Sequence, residues 1–123
     1  MALKLTNYSD GELRLSAKDD IIMISGTLDK VDSGKNLKPF FEEAHSELLK
    51  LNMKSVTIDL TNLVFMNSTA FRELVTWAVK IEALPENQKY KFKFVMSTQH
   101  LWQSGSIGAL KALTPDIVEI IKP

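Results

Sequence analysis

Val56-Thr57-Ile58-Asp59-Leu60-Thr61-Asn62-Leu63-Val64-Phe65-Met66-Asn67-Ser68-Thr69-Ala70-Phe71 changes its hydrophobic period partway along. Val56, Ile58 and Leu60 alternate with Thr57 and Asp59, the period of two expected of a strand. From Ser68 onward Phe71, Leu74, Val75, Ala78 and Ile81 recur every three or four positions, which makes a helix with one apolar stripe. Between them lie an apolar wedge and three small polar side chains, Asn67, Ser68 and Thr69, of which Asn67 or Ser68 can cap the helix by accepting a backbone N–H. A strand running directly into a helix is the repeating unit of an α/β fold.

Working outward, Pro85 closes the helical region, and Tyr90, Phe92, Phe94 and Met96 alternate with Lys91, Lys93 and Val95 as the next strand. A polar loop over residues 97–100 leads to a helix over 101–113, weakened by Gly105 and Gly108 by about 1 kcal/mol each relative to alanine. Residues 117–121 read as a short last strand. Upstream, Leu3 and Leu5 alternate with polar neighbours as far as Tyr8, Asp10-Gly11 signals a hairpin turn, and Leu13 and Leu15 begin a second strand. Lys18-Asp19-Asp20 turns the chain into Ile21-Ile22-Met23-Ile24, an unbroken apolar run suited to a central strand covered on both faces, with Gly26 marking its end. A polar loop follows from residue 30, then a helix over about 36–51 with Pro39 in its first turn and Phe41, Ala44, Leu48 and Leu51 as its stripe. The fold class expected is therefore α/β, one domain over residues 1–123. It has an N-terminal hairpin, a mixed and mostly parallel sheet with right-handed crossovers, and helices packed on it.

Composition sets limits. A chain of 123 residues with 45% hydrophobic and 24% charged residues fits one globular core. Fifteen basic residues against fifteen acidic ones provide no global field for nucleic acid or an anionic membrane. The lack of cysteine excludes disulfides and thiolate metal sites. Lys4, Asn7 and Asp10 interrupt any signal-peptide core, and no stretch approaches a membrane span, so a cytoplasmic protein, monomeric or weakly dimeric, is expected.

On the residues alone, the turn Asn67-Ser68-Thr69-Ala70 reads either as a helix cap, which suffices to explain it, or as a site for phosphate, which a helix N-terminus favours. No rival chemistry assembles. Asp19, Asp20, Asp29 and Asp32 flank different turns and predict no metal. A phosphoreceiver would need an acidic pair after its first parallel strand, whereas Asp19-Asp20 precede a strand and Asp59 lies inside one. A Ser-His hydrolase would need a base beside Ser68, yet the two histidines are His45, next to the first helix's stripe, and His100, a loop or cap residue; no Gly-x-Ser-x-Gly elbow is present. Trp77 reads as an exposed interface anchor or as a residue packed at the stripe's edge, and Trp102 as core or surface. These residues therefore predict no enzyme chemistry and no cofactor.

Phe65-Met66-Asn67-Ser68-Thr69-Ala70 resembles Phe-Met-Asp-Ser-Ser-Gly, the signature of STAS domains, the family of bacterial anti-sigma factor antagonists. Ser25-Gly26-Thr27-Leu28-Asp29 is similar to the family's Ser-Gly-Glu-Leu-Asp, and Val56-Thr57-Ile58-Asp59-Leu60 resembles its strand ending in Asp-Leu. The strand, loop and helix from Phe92 onward resemble its closing part. The likeness spans residues 12–121, with residues 1–9 as an extra or longer edge strand. It implies a partner-switching protein in bacterial signal transduction and transcription regulation, phosphorylated on the second hydroxyl of the signature, Thr69, with Ser68 as runner-up. The partner implied is a serine-protein kinase that is also the anti-sigma factor, met through Asn67, Ala70, Arg72 and Asp29, and a PP2C-type phosphatase resets the switch. Asn67 stands where the family has aspartate and Ala70 where it has glycine; asparagine keeps the capping geometry and removes a charge. The alternative is an unphosphorylated structural STAS subunit, a scaffold acting through its sheet edge or Trp77. Small-molecule sensing, known for some members, has no support such as a Gly-rich phosphate loop.

Overall fold

Four of the six strand pairings in the sheet are parallel, and every parallel crossover steps in the same direction. The computed structural model describes residues 3, 5, 7–10, 13–30 and 33–121. The chain forms β1 (Tyr8–Asp10), β2 (Leu13–Lys18), β3 (Ile21–Leu28), α1 (Ser33–Lys50), β4 (Ser55–Asp59), β5 (Leu63–Met66), α2 (Ser68–Glu82), β6 (Lys91–Val95), α3 (Trp102–Leu113) and β7 (Val118–Ile121). A single 3-10 turn, Glu86–Gln88, follows α2. The sheet order is β1-β2-β3-β4-β6-β7, with β5 attached to β3 alone. This is the α/β fold with an N-terminal antiparallel hairpin, a mixed, mostly parallel sheet and three helices packed on it.

Right-handed crossovers that always advance the same way put α1, α2 and α3 on one face of the sheet. The central strand is consequently covered on one side only, contrary to what its apolar run suggests. Ile22 and Ile24 are buried, while Ile21 and Met23 are 39% and 44% exposed. The covered face supplies Leu15, Ile58, Phe92, Phe94 and Val118 to a core completed by Leu48, Leu74, Ile81, Ile107 and Leu110.

Three further expectations change. Gly26 is not the end of β3, which runs on to Leu28; it lies mid-strand at φ 101, a conformation that favours glycine. The first helix starts at Ser33, so Pro39 lies well inside it and not in its first turn. A proline there costs about 3 kcal/mol. Burial of Leu37, Phe40 and Phe41, at about 1.5–3 kcal/mol each, outweighs that cost. The segment before β1 places Leu3 in the core, with its N–H donating to the Asp19 carbonyl (2.8 Å). Gly11 of the expected hairpin turn lies outside the described residues.

Trp77 belongs to the core and not to the surface: it is 2% exposed. The buried stripe of α2 is Ala70, Leu74, Trp77, Ala78 and Ile81, and Phe71 and Val75 lie at its edge. The indole packs between Phe41 and Phe92, with ring centroids 4.9 and 4.7 Å away. Its Nε1 donates to the Tyr90 hydroxyl (2.6 Å), whose oxygen also lies 2.6 Å from His45 Nδ1. Indole N–H can only donate, so the Tyr90 oxygen is the acceptor in that bond, while the direction of its bond with His45 Nδ1 follows the imidazole tautomer. Burial, helped by the nearby Lys80 ammonium, holds the imidazole below its usual pKa, and burial raises the Tyr90 hydroxyl, with the Trp77 hydrogen bond opposing.

Two predictions follow from these elements. The unfolded chain binds the His45 proton more readily than the folded one, so this contribution is complete above about pH 6.5 and is lost as pH falls below it. Urea midpoints measured between about pH 7.5 and pH 5 should fall further for wild type than for His45→Gln. Gly105 and Gly108 lie in α3, and a Cβ at either meets no atom within 4 Å. Gly105→Ala and Gly108→Ala should each raise stability by roughly 0.5–1 kcal/mol in the same measurement.

Candidate functional site

β3 presents one edge to two partners in succession. Its first half pairs with β4 as far as Met23 and Asp59, and its last part pairs with β5 from Gly26 and Leu63 onward. The register shifts between Gly26 and Thr27, and Gly26 N–H donates to the Asn62 carbonyl (3.0 Å). Because β5 continues the ladder to Leu28, Asn67 N–H closes it with a bond to the Leu28 carbonyl (2.8 Å). The start of α2 is thereby fixed beside the segment that leaves β3.

Asn67 is the hub of this junction. Its backbone is extended (φ −78, ψ 175), and its Oδ1 accepts from the Ala70 N–H (3.0 Å) and from the Thr69 hydroxyl (2.8 Å). Its Nδ2 donates to the Lys30 carbonyl (2.7 Å), and its own carbonyl accepts from Phe71 N–H (3.0 Å). An aspartate could make the cap but has no donor for Lys30, and would set a carboxylate against that carbonyl. The amide at position 67 is therefore matched to the loop it faces.

The residues singled out in the sequence fall into two groups. Asp29 is exposed and lies between the two carbonyls, of Leu28 and Lys30, that Asn67 binds, so it borders the turn. Ser68 is exposed at the first helical position, and Thr69 is half-buried with its hydroxyl engaged. Arg72 is exposed, four residues beyond Ser68 and three beyond Thr69, the spacing at which helical side chains meet. Ala70 is fully buried in the core, so it enters the site through its N–H and not its methyl group. Asp19 and Asp20 lie at the opposite end of β3, and Asp32 is outside the described residues. Among the described residues no group of three or more His, Asp or Glu side chains could hold a metal ion. No helix there is long and apolar enough to cross a membrane.

No sequence signal marks Gly34 or Gln103 as contributors, whereas Trp102 and His100 read as core-or-surface and loop-or-cap residues. Gly34, in the first turn of α1, meets the first turn of α2 so closely that a Cβ would lie 3.0 Å from the Thr69 carbonyl oxygen. Gln103 is fully buried; its Nε2 donates to the carbonyls of Leu60 and Leu63 (2.8 and 2.9 Å), and its Oε1 accepts from Ser97 N–H (2.8 Å). It clamps the turn between β4 and β5. Trp102 is half-buried, donates from Nε1 to the Val64 carbonyl (2.6 Å) and meets Phe65 edge-on at 6.5 Å. His100 offers its carbonyl to Gln103 N–H (3.1 Å) at the start of α3. The signal for β5 is weak because Val64 and Phe65 are both exposed, 53% and 45%, so neither period appears.

Compared with known proteins, the chain matches no family model and no curated protein. The STAS resemblance rests on the quoted segments alone.

Removing the hub has a defined cost. Asn67→Ala should lower stability by about 1–2 kcal/mol, whereas Asn67→Asp should retain most of the cap and lose chiefly the tie to Lys30. Chemical denaturation of the two variants, read beside the amide exchange of Ala70, checks both statements.

Proposed function

We propose that this chain is a non-enzymatic protein-binding switch of the STAS type, engaging a serine-protein kinase of the anti-sigma kind through residues 67–69, Asp29 and the exposed side of α2 at Arg72. The observation that carries the reading is the Asn67-centred junction, which holds two hydroxyl side chains at a helix N-terminus beside an exposed loop. Phosphate on Thr69 would remove the proton its hydroxyl donates to Asn67 and add about two negative charges at the rim. The helix dipole tolerates such charge, by roughly 0.3–1 kcal/mol in its favour, so the surface changes while the fold persists. Arg72 is in range of phosphate at either hydroxyl, while Glu73, four residues beyond Thr69, opposes it there. Ser68 accordingly remains the second acceptor. A PP2C-type phosphatase would reset the switch, in the bacterial cytoplasm where such partners act.

The rival scaffold reading loses the Trp77 surface and retains the sheet. Exposed Ile21, Met23 and Ile121 on the uncovered face are the observation in its favour.

Intact-mass measurement after incubation with ATP and a serine-protein kinase of the anti-sigma kind should show one added phosphate, abolished in Thr69→Ala or, if Ser68 is the acceptor, in Ser68→Ala. Thr69→Glu should bind that kinase at least about tenfold more weakly than wild type while keeping its unfolding midpoint. Equal affinities would sink the switch, and a stable complex without added phosphate would favour the scaffold.

A further inference from the structure

The uncovered face of the sheet carries a concavity of about 530 Å³ where β3 changes partner from β4 to β5. That volume lies within the range of small-molecule sites. It is separate from the turn at residues 67–69, and its argument does not depend on the function proposed above.

The walls differ in charge. On one side Arg14 stands opposite Ser25 in the β2–β3 register, exposed, and among the described residues no carboxylate pairs with it. On the other side is Asp59, paired with Met23 at the end of β4. Its Oδ1 accepts from the Thr61 N–H (2.9 Å) and the Thr61 hydroxyl (2.6 Å), which fixes the carboxylate and leaves Oδ2 for a donor from outside. Asn62, held by the Gly26 N–H, borders the same wall. Met23, 44% exposed, lies between the two charged walls as an apolar floor. Arg14 and Asp59 are two strands apart and offset by two residues along β3, about 12 Å at the backbone, and their side chains shorten that span.

From this arrangement we infer that the concavity binds a small zwitterion, its anionic group on Arg14, its ammonium group on Asp59, and a short aliphatic chain over Met23. A guanidinium presents a planar fork to a carboxylate, and a fixed carboxylate accepts from an ammonium. A molecule with one charge alone satisfies one wall and leaves the other solvated.

The test is an amide NMR titration of the full chain with γ-aminobutyrate and ε-aminocaproate, using caproate and hexylamine as singly charged controls. Saturable shifts centred on Met23, Ser25 and Asn62 are expected with at least one zwitterion, at affinity about tenfold or more above either control. Arg14→Gln, at an exposed position, and Asp59→Asn, which keeps the Oδ1 acceptor for Thr61, should each weaken binding about tenfold, with spectra showing the fold intact. Absence of saturable shifts with both zwitterions, a control that binds as tightly, or binding that survives both substitutions overturns the proposal.

Discussion

A single strand edge shared by two partners governs this molecule. β3 gives its first residues to β4 and its last to β5, and the exchange needs a backbone that turns at Gly26 through φ 101. A Cβ at that position would strain the conformation by about 1 kcal/mol or more. With the exchange in place, Asn67 reaches the Leu28 and Lys30 carbonyls, α2 starts beside the exit of β3, and a concavity forms on the opposite face. Gln103 and Trp102 secure the same region from α3, by bonding the carbonyls of Leu60, Leu63 and Val64 where the chain passes from β4 into β5.

Much of this fold is legible in the residues, because one-sided burial writes itself as periodicity. Val56 and Ile58, Phe92 and Phe94, and the stripe from Leu74 to Ile81 all announce their elements. What fails does so for physical reasons. An apolar run such as Ile21-Ile22-Met23-Ile24 signals burial of both faces, yet the crossovers place every helix on one side, which the run itself cannot encode. β5 has four residues with two consecutive exposed ones, so no period can reveal it. Pro39 is tolerated inside α1 through tertiary burial that overrides a local rule.

The site divides in the same way. Capping by Asn67 is local, a side chain reaching three residues ahead, and could be read directly. Its bond to Lys30, 37 positions away, could not. That distant bond gives the asparagine a structural reason of its own: an amide donates and accepts at once, and the junction uses both capacities. An asparagine at this position is thus compatible with an intact turn, and the burial of Ala70 puts that residue on the core side of the helix.

The two tryptophans occupy environments that separate cleanly. Trp77 is sealed among Phe41, Phe92 and Tyr90, while Trp102 lies half-open against Phe65, next to the strand that leads into the turn. Their emission should differ in colour and in access to a dissolved quencher, with Trp102 the redder and more readily quenched. The molecule therefore carries two intrinsic optical reporters, one sensing the integrity of the interior and one sensing events at the junction, without any attached dye.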